Sequence, residues 1–234
     1  MPGVSTNFNK TNTMKCLLLN FIIIFLLAGC MGTKKYSRFV NQELSSNSNH
    51  NKDSSNIFIF KTDSLPKHDS NVTSKKIKSL FIPAILYWQW ENTICCEFNS
   101  SVPTNILTST ITSYSDSIKL GDRLNGQKIE LSIDRIPSTF IYTYKGYTII
   151  FLVAYMIREI EAIYPQEEIL KVRYRIMDGN KELKNGTIAI NNKDKPIKNV
   201  WKSTKKFTWY YIDRYNYNIK CLSKELIDRL LIEI

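Results

Sequence analysis

Residues 101–134 read SVPTNILTSTITSYSDSIKLGDRLNGQKIELSID, and within this stretch the apolar period changes from that of a helix to that of a strand. Leu107, Ile111, Tyr114 and Ile118 recur at spacings of four, three and four, which places them on one face of an α-helix. Ser101 offers a capping hydroxyl, and Pro103 suits a first turn, where an amide proton would have no partner. Gly121 and Gly126 mark the way out of the helix. Beyond them Ile129, Leu131 and Ile133 alternate with Glu130, Ser132 and Asp134, the period-two pattern of a half-buried strand. Pro137 cannot donate to a ladder, so this strand is expected to end before it.

Downstream, Phe140, Tyr142 and Tyr144 alternate, Lys145-Gly146 reads as a turn or bulge, and Thr148 to Ile157 carries no charge, as a central strand would. Val172, Tyr174 and Ile176 alternate with Arg173 and Arg175. Asp178-Gly179 and Asn185-Gly186 have turn chemistry, and Thr187 to Ile190 supplies a short return strand, so a hairpin is expected. At the carboxyl end Ser223 reads as the cap of a helix with Ile227, Leu230, Leu231 and Ile234 on one side and Lys224, Asp228 and Arg229 on the other. Upstream, Ile77, Leu80, Phe81, Ile82, Ile85, Leu86, Tyr87, Trp88 and Trp90 form a dense run that reads as a buried strand continuing to Phe98. The order is strand, helix, several antiparallel strands, helix. It predicts an α+β domain over 75–234, a two-layer fold with helices packed on one face of an antiparallel sheet.

The amino terminus is different in kind. Met14-Lys15-Cys16 leads into Leu17-Leu18-Leu19-Asn20-Phe21-Ile22-Ile23-Ile24-Phe25-Leu26-Leu27 and then Ala28-Gly29-Cys30. A secretory signal needs about 7–15 apolar residues and a permanent span about 20, so 14–29 reads as a cleavable signal peptide. Residues 1–13 are polar, and we expect an upstream extension that is not translated, with Met14 as the start. Leu27-Ala28-Gly29-Cys30 resembles the lipobox of bacterial lipoproteins. That resemblance implies that Cys30 becomes the first mature residue and carries two or three acyl chains. Two chains suffice for stable anchoring, at about 0.8 kcal/mol per buried methylene. Met31 and Gly32 are not acidic, which in such lipoproteins implies the outer membrane; a periplasm-facing domain is expected.

From Gln42 to Ser74 the chain is dominated by Asn, Ser, Lys and Asp and cannot bury a core, so 30–74 reads as a disordered, lipidated tether. Ile57-Phe58-Ile59-Phe60 interrupts it. Four apolar residues suit an edge strand or a partner contact and decide neither, so this piece is read as a loose segment.

Both histidines, His50 and His68, fall in the tether, which leaves the domain without an imidazole for base catalysis or for a metal-bound nucleophile. No phosphate-cradling loop occurs, and no cofactor or metal is expected. Glu130 with Asp134, and Glu159 with Glu161, share strand sides, but carboxylates on an exposed strand face ordinarily keep a sheet soluble. An oxidising compartment favours a disulfide of Cys221 with Cys95 or Cys96, with one thiol left over; buried free thiols are the equal alternative.

A net charge of +11, with Lys75, Lys76 and Lys78 near the domain start and Lys202, Lys205 and Lys206 near its end, suits anionic lipid headgroups. Secretion removes nucleic acid as a partner. Tyr87-Trp88-Gln89-Trp90 and Trp209-Tyr210-Tyr211 with Tyr215 and Tyr217 read as core aromatics, or as rings that stack on glycans or line a lipid groove. Trp209, Tyr210, Tyr211 and Tyr215 are the better binding candidates, because their spacing fits neither element cleanly and their neighbours are polar.

A lipobox followed by the order β-α-β-β-β-α resembles small lipoproteins that assist envelope transport, either auxiliary components of ABC-type lipid transporters or lipopolysaccharide-assembly lipoproteins. The resemblance covers Lys75 to Ile234 and is one of element order, so it carries no site residue. The richness in Asn, Ile, Lys and Tyr resembles Bacteroidetes lipoproteins of unknown function. These resemblances imply a non-enzymatic protein, held to a membrane through the Cys30 acyl chains, that binds an envelope protein complex or lipid. A lipidated hydrolase of envelope glycans and a structural or adhesion role are the competing expectations.

Overall fold

The computed structural model describes residues 40, 57–63, 65, 71–83, 86–151, 154–166 and 168–234. The expected signal segment, Cys30 and most of the expected tether lie outside these residues. The elements are β1 (Phe58–Lys61), β2 (Asn71–Ile82), β3 (Tyr87–Glu97), α1 (Ser101–Ser117), α2 (Leu120–Leu124), β4 (Lys128–Arg135), β5 (Thr139–Phe151), β6 (Ala154–Pro165), β7 (Ile169–Asp178), β8 (Lys181–Asn191), β9 (Ile197–Asn199) and α3 (Thr204–Glu233). This is an α+β fold. The expected single antiparallel sheet is instead two sheets, ordered β1-β4-β7-β8 and β2-β3-β5-β6-β9, and β1 runs parallel to β4.

The elements of the opening stretch stand where their periods placed them. The helix occupies 101–117 with Leu107 and Ile111 buried, and Ile129, Leu131 and Ile133 of β4 have no exposed surface. Gly126 and Gly179 adopt positive φ, which glycine does without steric cost, so both turns close tightly.

The segment expected to be loose is β1. One edge of β4 pairs with β7, and the other would leave its backbone groups unpaired without a further strand. Phe58 is buried, and Lys61 reaches Glu130 at 2.8 Å. The folded region therefore begins before Lys75.

Three further expectations give way. The run before Phe98 is two strands, β2 and β3, folded into a hairpin after Pro83, whose ring cannot continue a ladder. Gly146 and Gly186 are not turns but lie inside β5 and β8. The uncharged run 148–157 spans the ends of β5 and β6, which pair with each other.

Helix α3 is longer than expected, at 30 residues, and Ser203 caps it by accepting from the Lys206 amide at 3.4 Å. Ser223 lies inside this helix, buried, and donates to the Ile219 carbonyl at 2.7 Å. Phe207, Tyr211, Tyr215 and Ile219 recur every four residues and Leu222, Leu226 and Leu230 continue the stripe, so one apolar face runs the length of the helix. Its first half packs on the five-stranded sheet, with ring centroids 4.8 Å apart for Phe140–Tyr211 and 4.4 Å for Phe98–Tyr215. Its second half meets the four-stranded sheet, where Arg229 donates to the Ala189 carbonyl at 3.0 Å and Tyr174 to Glu233 at 3.3 Å. Helix α1 packs on α3, and Tyr114 donates to Asp228 at 2.9 Å. Among the described residues no helix is long and apolar enough to cross a membrane.

Candidate binding surface on the five-stranded sheet

Strands β2, β3 and β5 are long, and the register aligns them row by row. In the half nearest α3, Ile94, Cys96, Phe98, Phe140 and Tyr142 are buried. Towards the other end the same strands pass beyond this cover. Ile77, Leu80, Phe81, Ile82 and Leu86 stand exposed there, Phe81 at 57%.

Alternation sorts the side chains of this end onto two faces. On the face shared with Ile94 and Cys96 lie Ile77, Ser79, Phe81, Trp88, Trp90 and Tyr144. Trp88 and Trp90 are 5.1 Å apart by ring centroid, Trp90 and Tyr144 6.2 Å, and the Trp88 indole donates to Ser79 Oγ at 3.0 Å. On the opposite face lie Leu80, Ile82, Tyr87, Gln89, Tyr147 and Ile149, followed by Lys78, Glu91 and Lys145. Lys145 sits 2.9 Å from Glu91 and Lys78 4.0 Å. The bond from Lys145 holds the Glu91 carboxyl below its ordinary range, against a smaller opposing effect of desolvation.

The aromatic candidates from the sequence divide. Trp209 and Tyr210 are exposed on α3, with the Lys202 ammonium 5.1 Å from the Tyr210 ring centroid. Tyr211 and Tyr215 are buried, which corrects their assignment as binding residues: both lie on the apolar stripe of α3, and Tyr215 donates to the Pro137 carbonyl at 2.7 Å. Burial pushes both phenols well above their usual range.

Among the described residues no disulfide joins Cys95, Cys96 or Cys221. Cys95 and Cys96 occupy opposite faces of β3, and Cys221 is exposed on α3. Burial, and secondarily the neighbouring Cys95, pushes the Cys96 thiol up to about 12.

The carboxylates are engaged within the fold. Glu130 pairs with Lys61 and lies 3.7 Å from Arg175, and Asp134 pairs with Arg173 at 2.7 Å. Glu161 is buried and accepts from Tyr142 at 2.7 Å and also from Asn199 and Thr204, tying β6 to β9 and to the start of α3. Desolvation and the bond to Glu161 raise the Tyr142 phenol. The side chain of Glu159 lies outside the described residues. A polar cleft of about 520 Å³ is lined by Glu97, Ser100, Asp134, Arg135, Ser138 and Glu168. In it Glu168 accepts from the Ser138 and Thr139 amides and from Thr139 Oγ1, bonds that hold the turn into β5. Among the described residues no group of acids, thiols and imidazoles is placed to hold a metal ion.

The sequence offered Trp88 and Trp90 of this end as core or ligand-contacting aromatics but placed Leu80, Phe81 and Ile82 in a buried strand, although a signal of their exposure was present. Adjacent lysines at 75 and 76 point to opposite faces of any strand, so neither face of β2 is buried at that level. No protein-family model, curated protein or solved structure matches the chain.

Proposed function

We propose that this chain is a lipid-anchored protein of a bacterial cell envelope, held at the outer membrane on its periplasmic side through acylated Cys30. Its domain acts by binding, in envelope assembly or transport, rather than by catalysis. The observation that carries the anchoring is Leu27-Ala28-Gly29-Cys30 at the end of an apolar run too short for a permanent span. The binding role is supported by the end of the five-stranded sheet that extends past its helical cover with Leu80, Phe81 and Ile82 exposed. Contiguous apolar surface is kept on a folded domain chiefly where something docks. The engagement of Glu130, Asp134, Glu161 and Glu168 in ion pairs and hydrogen bonds argues in the same direction.

Metabolic labelling with a clickable fatty acid tests the anchor. Label on the parent chain and none on Cys30→Ser, with that variant released from the membrane fraction, is the expected result. An unlabelled parent, or label that survives the substitution, overturns the proposal.

A further inference from the structure

We infer that the uncovered end of the five-stranded sheet seats in an anionic bilayer surface; this rests on the lipid-anchored reading above and names the partner of its binding surface. The side chains of this end are graded along the strand axis. At the tip stand Leu80, Phe81, Ile82 and Leu86, all exposed. Tyr87 pairs with Ile82, Trp88 with Phe81, and Tyr147 lies in the row of Gln89 and Leu80. Lys78 and Lys145 occupy the row of Glu91, and Lys76 and Lys75 follow. From the row of Ile82 to that of Lys78 is four residues, or about 13 Å of strand. Apolar side chains and aromatic rings share the leading rows, Arg158 of β6 enters at the row of Leu80, and the ammonium groups of Lys78 and Lys145 and then Lys76 and Lys75 follow. That order suits the bilayer interface, where Trp and Tyr concentrate beside apolar side chains while basic groups reach outward to anionic headgroups. An apolar surface lying in the interface sinks about 5–10 Å, which leaves a lysine row about 13 Å behind the tip near the phosphates.

Charge selects this occupant over a second copy of the chain. Strand β2 has β3 on one side and forms an edge of its sheet, where a second copy would add by strand pairing. Lys75, Lys76 and Lys78 line that edge strand, and two such edges would bring their like charges together. Glu91, the described acid in the lysine row, is bridged by Lys145 and Lys78, so the described side chains of that row carry net positive charge. Reach is also satisfied. The 10 residues from Cys30 to Val40 (40 − 30), which is buried, extend to roughly 33–36 Å at most, so an acylated chain keeps the domain close to its own membrane.

The test uses the acylated chain with Trp201→Phe and Trp209→Phe, both exposed positions, so that emission reports Trp88 and Trp90. The chain is reconstituted in vesicles of phosphatidylcholine mixed equally with phosphatidylglycerol, with acyl chains brominated close to the headgroups or unbrominated. Bromine is expected to lower the emission about twofold, because the rings sit at the interface. Leu80→Ser with Phe81→Ser should remove that quenching while circular dichroism stays unchanged. Pure phosphatidylcholine, or Lys75→Glu with Lys76→Glu and Lys78→Glu, should reduce it to less than about half. Absence of quenching, or equal quenching in the serine variant, overturns the inference; if Cys30 is still labelled, the lipid-anchored reading survives. Labelling that fails while quenching persists in a Cys30→Ser chain added to the vesicles overturns the anchor alone. Sedimentation showing a dimer that the serine variant dissolves, with no bromine effect, assigns the surface to a second copy and overturns the inference.

Discussion

The indole of Trp90 covers Gly146, the residue paired directly opposite it on β5: a Cβ on that glycine would stand 2.1 Å from Cζ2 and 2.5 Å from Cε2. The four-stranded sheet repeats the arrangement with Tyr174 over Gly186, where a Cβ would meet the phenol oxygen at 2.7 Å. A glycine inside a strand leaves a gap in the side-chain layer, and an aromatic ring from the neighbouring strand fills it. Each glycine is thus a seat for a ring.

Gly146→Ala is expected to displace Trp90 and to destabilise the domain by about 1–3 kcal/mol, the range for overpacking. In a Trp90→Ala background the same change should cost much less, since residues in contact are coupled. Urea midpoints of the four chains measure this, and an equal loss in both backgrounds would show that the ring is not what excludes a methyl group.

Tyr211 and Trp209 lie two residues apart on α3 but on opposite sides of it. Tyr211→Ala should lower stability by about 3–5 kcal/mol through loss of a buried aromatic, and Trp209→Ala should stay within about 0.5 kcal/mol. Thermal unfolding of the two variants separates core from surface; equal effects would contradict the packing described.

Glu161 receives bonds from Tyr142, Asn199 and Thr204 at the start of α3. Glu161→Ala leaves those donors without their acceptor in a buried place, and a loss of about 1–3 kcal/mol is expected. Hydrogen exchange should accelerate most in the first turns of α3, and exchange raised uniformly along the helix would argue against this carboxylate as a local tie.

The Cys96 thiol is raised from 9.0 to about 12, chiefly by burial. A folded-state value above the unfolded one means that the folded chain holds the proton more tightly. The associated stability is full below pH 9 and is lost as pH climbs from about 9 towards 12. The phenols of Tyr142, Tyr211 and Tyr215, raised from 10.0, act in the same direction at somewhat higher pH. Urea midpoints should fall above pH 9, and Cys96→Ala should delay that fall towards pH 10. Under native conditions at pH 8 a maleimide should modify exposed Cys221 and spare Cys96 until urea is added, as mass spectrometry of peptides would reveal. A thiol count below three in the denatured, unreduced domain would mean that a disulfide had formed.

Local periodicity was legible wherever one face of one element decided its burial. Leu107 and Ile111 on α1, Ile129 to Ile133 on β4 and Val172 to Ile176 on β7 repeat at the spacing of their own element and were readable without neighbours. The exposed end of the five-stranded sheet was not, because Trp88, Phe81 and Leu80 have the composition of a core, and an apolar residue does not announce whether another element will arrive to cover it. Tyr211 and Tyr215 failed in the opposite sense: polar neighbours suggested exposure, while the four-residue spacing from Phe207 to Ile219 placed them on a buried stripe.

Residue pattern alone determined the α+β composition, the register of apolar and polar faces on the central elements, and the turns at Gly126 and Gly179, because these depend on interactions within a few residues. Tertiary structure decided that there are two sheets, that Phe58 begins a parallel strand, that Gly146 and Gly186 lie under rings, and that the sheet outruns the helix packed upon it. Those outcomes depend on which backbone edges and which ring faces meet across long separations in the chain, and a local period carries no information about that.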